Sequence, residues 1–332
     1  MAIPWTPAPW VVAHRDRVGF ALQVFPLETR EQPGPQLVAA GRLAETLGFD
    51  AFFVGDHPAW GPDPWIHLAA LATATTRIRL GTNVLGIHYR HPLLTARLAA
   101  DLDNLSGGRL ILGVGCGWDA GEYAAFGLPF SPTPERQAAL EEALVIIRGA
   151  WGDAPFSFCG QHFSVADARI SPLPIQRPGP PLLIGGGGER VTLRQVAQYA
   201  DACSVSSFGL VSGAATADGI QRKLAALRRR CQEQGRDEAA VLRTHFTGWL
   251  LLAEDEAQLA TKVARYFPEG IARRFAGPWT GFALAATPER AVAHYRALVD
   301  AGVQYFIVET LDANDEETMR LLAERVMPHV QA

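Results

Sequence analysis

The chain has 332 residues, 48% of them hydrophobic and 19% charged, with a net charge of −4. That is an ordinary globular composition with ample material for a core, and the charge balance argues against a nucleic acid or an anionic membrane surface as partner. No apolar run approaches the roughly 18 residues of a spanning helix, and the start, MAIPWTPAPWVVAHRDR, lacks a basic region followed by a long apolar stretch, so a cytoplasmic protein is expected.

Residues 1–16, with three prolines and two tryptophans, read as an irregular N-terminal arm; 17–332 read as one domain. Short apolar runs then recur at Val18–Phe25, Ala51–Val54, Ile78–Val84, Leu110–Gly115, Leu182–Gly185, Ala202–Ser206, Phe246–Leu252 and Tyr305–Val308. Most do not alternate, as expected of strands buried on both faces of a parallel sheet. Between them lie helical stripes, such as Leu37, Gly41, Ala44 and Leu47, then Leu140, Leu144 and Ile147, and later Val292, Tyr295 and Val299. Gly48 and Gly302 follow helices and precede strands, where a C-cap is needed. Thr287 precedes Pro288 as an N-cap. Eight strands alternating with helices predict an α/β fold, a (β/α)8 TIM barrel. Two longer gaps, 149–180 and 265–287, are expected to be insertions over the C-terminal face of the strands.

In that architecture catalytic groups collect where strands end. The second strand ends FFVGDHP, placing Asp56 beside His57. A histidine next to a carboxylate can be held in one tautomer and serve as a general acid or base. The third ends in Thr82, Asn83 and Val84, small and polar residues suited to a bulge. The fourth, LILGVGCGWDAGEY, runs into Gly113, Gly115, Cys116 and Gly117. A Rossmann loop would have GxGxxG near the start of its βαβ unit. The stretch also looks like the glycine-rich first motif of S-adenosylmethionine-dependent methyltransferases, which normally sits on the first strand, not the fourth. On a barrel, such glycines let a flat ligand lie against backbone. The fifth strand ends in Gly185, Gly186, Gly187 and Gly188 before a helix, with Arg190 and Thr192 close behind. Free N–H groups and the helix dipole make that loop a candidate phosphate site. The four cysteines, Cys116, Cys159, Cys203 and Cys231, form no CxxC pair, so neither a metal site nor a disulfide framework is expected.

The stretches LAETLGFDAFFVGDHP, DPWIHLAALATATTRIRLGTNVLG, HPLLTARLAADLDNLSGGRLILGVGCGW, GEYAAFG and PPLLIGGGGERVTLRQVAQYADA, in this order, resemble the bacterial luciferase-like flavin and deazaflavin oxidoreductase superfamily, over roughly residues 18–330. The resemblance is greatest to the branch assigned to the deazaflavin coenzyme F420. It implies a homodimeric (β/α)8 barrel that binds F420 or FMN over the strand ends. It further implies that His57 assists proton transfer with Asp56 close to the cofactor. Thr82–Val84 matches a bulge behind the ring, often with a non-prolyl cis peptide. Gly115–Gly117 matches the loop under the ring, and Gly185–Gly188 the phosphate site. Sugar-phosphate dehydrogenases of the superfamily carry an acidic residue where this chain has Trp118. The expected activity is therefore hydride transfer between F420 and an apolar or planar substrate, in a pocket walled by Trp60, Trp65, Trp118 and Phe158 or Trp279. The alternatives are an FMN-dependent monooxygenase and, from another class, a methyltransferase.

Overall fold

The computed structural model describes residues 6–24, 33–59, 61–208, 216–274 and 281–331. Eight parallel strands close into a barrel: β1 (Gly19–Val24), β2 (Ala51–Val54), β3 (Arg79–Thr82), β4 (Leu110–Gly115), β5 (Leu182–Gly185), β6 (Ala202–Ser206), β7 (Leu242–Leu252) and β8 (Tyr305–Thr310). Closure is made by β8, which pairs with β1 at Gly19 and Tyr305 and with β7 at Thr244 and Tyr305. The ring eliminates both a Rossmann sheet and the open sheet of a methyltransferase. Every strand expected from the sequence is present; β7 begins four residues earlier than its apolar run, at Leu242.

The strands are connected by α1 (Pro33–Leu47), α2 (Pro64–Ala74), α3 (Pro92–Ser106), α4 (Thr133–Ala150), α5 (Thr192–Tyr199), α6 (Ala217–Glu233) and α7 (Pro288–Asp300), and after β8 comes α8 (Glu316–Leu321), which continues through a π-helical turn, Leu322–Val326, into Met327–Gln331. Their apolar faces pack on the outside of the barrel in one continuous core that includes Leu37, Leu68, Leu140 and Tyr295. Gly48 and Gly302 end helices at φ +83° and +108°, a region where a side chain is strained. Thr287 stands at the N-cap of α7 with Pro288 after it, but its side chain makes no capping hydrogen bond.

A second, smaller core fills the barrel, with Phe53, Ile111, Leu183 and Tyr305 among its members. The N-terminal segment belongs to it. Pro9–Val12 is a helical turn, not irregular chain, and Trp10 is fully buried with its ring 5.3 Å from that of Tyr305.

The two insertions behave differently. Residues 149–180 hold a hairpin, Phe156–Cys159 with Ser164–Ala168, that runs along the outer flank and not over the strand ends. Its return is anchored at the base, where Gln176 Nε2 donates to the carbonyl of Leu110, the first residue of β4. Its tip reaches the start of α3, where Phe163 and His91 rings meet at 5.6 Å. The described part of the second insertion lies at the strand ends, where Phe282 stands. It follows the helix Glu256–Tyr266 and adds a short strand, Ala283–Ala286, to the upper half of β7. The two halves of β7 part at Gly248, where its pairing with β8 shifts register and φ is +74°.

Candidate active site

A cavity of about 510 Å³ opens at the C-terminal ends of the strands. Seven of the eight strands contribute to its lining, through Gln23, Val54, Gly115, Gly185, Ser204, Trp249 and Glu309 among others, and the third does so through Asn83, just past its end.

The bulge after β3 is built by substitution of a side chain for backbone. β3 pairs with β4 only through Leu80 and Gly81, and pairing resumes at Leu85 and Gly86. Between them the buried Thr82 hydroxyl donates to the Gly113 carbonyl at 2.7 Å and accepts from the Gly113 N–H at 2.9 Å, so it stands in for a rung of the ladder. The Asn83–Val84 peptide is cis. The strand-end glycines make room for this bulge. A Cβ at Gly113 would lie 1.9 Å from the Thr82 carbonyl oxygen, and those at Gly115 and Gly185 would lie 2.8 and 3.0 Å from the Val84 methyls. Val84 is thus seated between two bare strand ends, and its face is offered to the cavity.

His57 also lines the cavity, but Asp56 does not orient it. The His57 Nδ1 lies 3.0 Å from Oε2 of Glu122, a carboxylate only 2% exposed. Glu122 also accepts from the Ala59 N–H and from the Tyr89 hydroxyl, at 3.3 Å each. Burial, and the Glu122 charge beside it, push the Tyr89 phenol above its ordinary range, so it remains a donor. Glu122 sits in the first turn of Ala120–Ala125, which Asp119 caps by accepting from the Gly121 and Glu122 N–H groups. Asp56 points instead at Arg90, which donates to both its oxygens at 2.8 and 3.3 Å, and at the Gly86 N–H. Burial raises the Asp56 carboxyl; the Arg90 charge only partly offsets that. Arg90 continues to Asp63, the N-cap of α2. Asp56 therefore ties the loops after β2 and β3 together.

Four polar side chains form a chain across the floor. Ser204 Oγ donates to Asn83 Oδ1 at 3.3 Å, Asn83 Nδ2 to Gln23 Oε1 at 3.1 Å, and Gln23 Nε2 to Glu309 Oε1 at 2.6 Å. Burial raises the Glu309 carboxyl from its ordinary 4.5 to about 7, against the lowering effect of Gln23. Sequence reasoning named only Asn83 of these.

Above the floor the wall is aromatic. The Trp118 ring, 38% exposed, meets His57 edge-on at 5.9 Å and Phe208 at 5.2 Å. Phe208 continues to Phe282, which packs on Phe246 and Trp249. Of the other expected wall residues, Trp65 is buried in the outer core, Phe158 lies on the flank hairpin, and Trp60 and Trp279 lie outside the described residues.

The remaining side of the cavity holds the glycine loop. Gly186, Gly188 and Thr192 line it; Gly187 is buried in the same turn, whereas Arg190 is exposed and does not line it. Gly186 has φ +123°, and a Cβ at Gly188 would lie 2.9 Å from Thr192 Oγ1. α5, which begins at Thr192, has no side-chain N-cap. Cys116 adjoins the loop; burial raises its thiol, and Gln137 Nε2 donates to its sulfur at 3.2 Å. Facing the loop from the first turns of α4 is Arg136, a cavity-lining residue the sequence reading passed over.

A family model described as luciferase-like monooxygenase matches residues 17–319. An F420-dependent glucose-6-phosphate dehydrogenase of Microbacterium testaceum is 28% identical over 91% of this chain and 95% of its own length. A 4-hydroxyprotoasukamycin monooxygenase of Streptomyces nodosus subsp. asukaensis is 34% identical over 59% of this chain and 54% of its own. Among solved structures, an F420-dependent secondary alcohol dehydrogenase in complex with an F420-acetone adduct superposes with a TM-score of 0.80 at 19% identity, over 95% of this chain and all of the other. No helix among the described residues is long and apolar enough to cross a membrane.

Proposed function

The chain belongs to the luciferase-like monooxygenase family, and we propose that within it the protein is an oxidoreductase that transfers hydride between the deazaflavin F420 and an apolar or planar organic substrate. The observation that carries this reading is the convergence of a flat aliphatic platform, a polar floor and an oriented histidine in one cavity. The polar chain from Ser204 to Glu309 suits the heteroatom edge of a flavin-type ring. Val84, seated on Gly115 and Gly185, supplies the apolar face against which such a ring lies. The bare loop Gly185–Gly188 with Thr192 would hold the phosphate of the tail. When bound, the deazaflavin supplies the hydride chemistry.

The residues of the chain provide position and the accompanying proton. Glu122 engages His57 Nδ1, so the neutral imidazole carries its proton there and presents Nε2 as the atom that accepts or releases a proton. Such a positioned acid or base contributes roughly 10²–10⁴ in rate. Trp118, Phe208 and Phe282 shape the substrate side and exclude water. Among the described residues, Arg136 is the one Lys or Arg that lines the cavity. The family resemblance also implies a homodimer. The outward Leu94, Leu98 and Leu105 on α3 support it, and light scattering measures it directly.

The test is a titration of purified apoprotein with F420 and with FMN, followed by tryptophan quenching. Micromolar binding of F420, with FMN much weaker, is the expected result. Tight FMN binding in its place would assign the protein to oxygen-dependent monooxygenation, and binding of neither would overturn the reading.

A further inference from the structure

An amide N–H can only donate and a carbonyl oxygen can only accept, so the hydrogen bonds across the cavity floor have a direction. Ser204 Oγ donates to Asn83 Oδ1, Asn83 Nδ2 to Gln23 Oε1, and Gln23 Nε2 to Glu309 Oε1. Each acceptor oxygen is engaged by the residue before it. What the row leaves over is donors, the second amide hydrogens of Asn83 and Gln23. Glu309 ends the row, and its other oxygen decides whether that end is a donor or a negative charge.

Glu309 is 3% exposed and lines the cavity. Its Oε1 faces an N–H, so a proton on this carboxyl resides on Oε2. Oε2 has no hydrogen-bond partner among the described residues, yet it is not one of the sealed, orphaned atoms of the interior, so its open side is the cavity. The neighbours of Glu309 in the sheet are Gln23 on β1 and Trp249 on β7, and neither ionises. Both lower its carboxyl; burial raises it by more, from 4.5 to about 7. No charged group among the described residues enters that balance. The ionisable groups that share the cavity, Asp56, His57, Tyr89, Cys116, Asp119, Glu122 and Arg136, all stand on segments that follow β2, β3 or β4.

We propose that Glu309 is the proton-holding end of this donor row: it meets the coenzyme as a neutral acid, donates a hydrogen bond from Oε2 to the acceptor-rich edge of the ring, and so favours the reduced, negatively charged state. The proposal rests on the deazaflavin reading, because hydride gained by that ring leaves negative charge on the edge that carries its carbonyls and nitrogens. The proton stays on Glu309, and no bond is made or broken there. A neutral donor stabilises the charge, whereas an ionised Glu309 would repel it. Affinity for the reduced coenzyme is therefore greatest while the carboxyl is protonated and falls as pH rises through its titration.

The experiment measures dissociation constants of oxidised and reduced F420, without oxygen, for wild type and Glu309→Gln between pH ~5.5 and ~8.5. In wild type the preference for the reduced form should fall roughly 10-fold or more over that interval, the size of one charge-assisted hydrogen bond. Glu309→Gln is neutral throughout and donates from Nε2, so its preference should depend less on pH. The coenzyme's own ionisation is common to both proteins, and the difference between the profiles belongs to Glu309. Parallel profiles would overturn the proposal. So would affinity for the reduced form that rises with pH in wild type alone, since that would show a carboxylate that accepts. A second measurement needs no coenzyme. Infrared difference spectra between wild type and Glu309→Gln should contain the carbonyl stretch of a protonated carboxylic acid at pH ~6 and lose it by pH ~9. If wild type bound neither form of F420, the deazaflavin reading and the ligand named here would fail together, while the band still decided whether Glu309 holds a proton; its absence at the lower pH would refute that as well.

Discussion

An imidazole ring has two nitrogens, and the neighbour of one decides what the other can do. For His57 that neighbour is Glu122, 65 residues away in the chain. Replacing it by Gln keeps the volume but lets the ring adopt either tautomer, so Glu122→Gln should lower kcat roughly 10- to 100-fold and leave cofactor affinity unchanged. Stopped-flow reduction beside a binding titration separates the two. His57 was legible because it ends a strand; its partner was not, since a Glu in a first helical turn is read as ordinary dipole compensation. Arg136 did leave a signal, a cation in the wrong turn of a helix, that motif reading passed over. Glu309 has a different consequence. Burial pushes its carboxyl up from the ordinary 4.5 to about 7. The folded state therefore holds more protons over that interval, and its stability falls as pH rises through it, by up to about 3 kcal/mol. In Glu309→Gln the loss of melting temperature between pH ~5 and ~8 should be smaller than in wild type. Equal slopes would show that Glu309 ionises as freely in the fold as in the unfolded chain.

Strands and helices were visible in the sequence because barrel strands are buried on both faces and their apolar runs are unbroken. What an element touches was less visible. The glycines of β4 read as space for a ligand, yet a Cβ at Gly113 would overlap the Thr82 carbonyl and one at Gly115 would press on Val84. The two positions should therefore respond differently. Gly113→Ala meets backbone and should cost about 3 kcal/mol or more. Gly115→Ala meets a side chain, and Val84→Ala in the same molecule should recover much of its cost. Urea midpoints of the two single variants and the double variant give the comparison. The flank insertion was misplaced for a similar reason. Proline and aromatic content marks an insertion but not the end of the barrel at which it starts, and 149–180 leaves α4 at the base.

At the scale of the molecule the two ends of the barrel have separate duties. The base is stoppered by Pro9–Val12, with Trp10 against Tyr305. Trp10→Ala should cost about 3–5 kcal/mol of stability, with flavin affinity unchanged, because packing at the base serves folding and the mouth serves binding. Calorimetry and the same titration check both halves of that statement. At the mouth, Gly248 lets β7 leave the ring. Below it the strand is locked between β6 and β8; above it Trp249 pairs with the Phe282 segment. Trp249 and Phe282, the part of the aromatic wall that comes from β7 and its added strand, therefore hang on a branch that parts from β8 beyond Trp249. Mutations there can reshape what is admitted without disturbing the ladder that carries Asn83, Val84 and Gly185. Such a hinge between a fixed platform and a replaceable wall gives evolution a way to change the substrate while inheriting the cofactor.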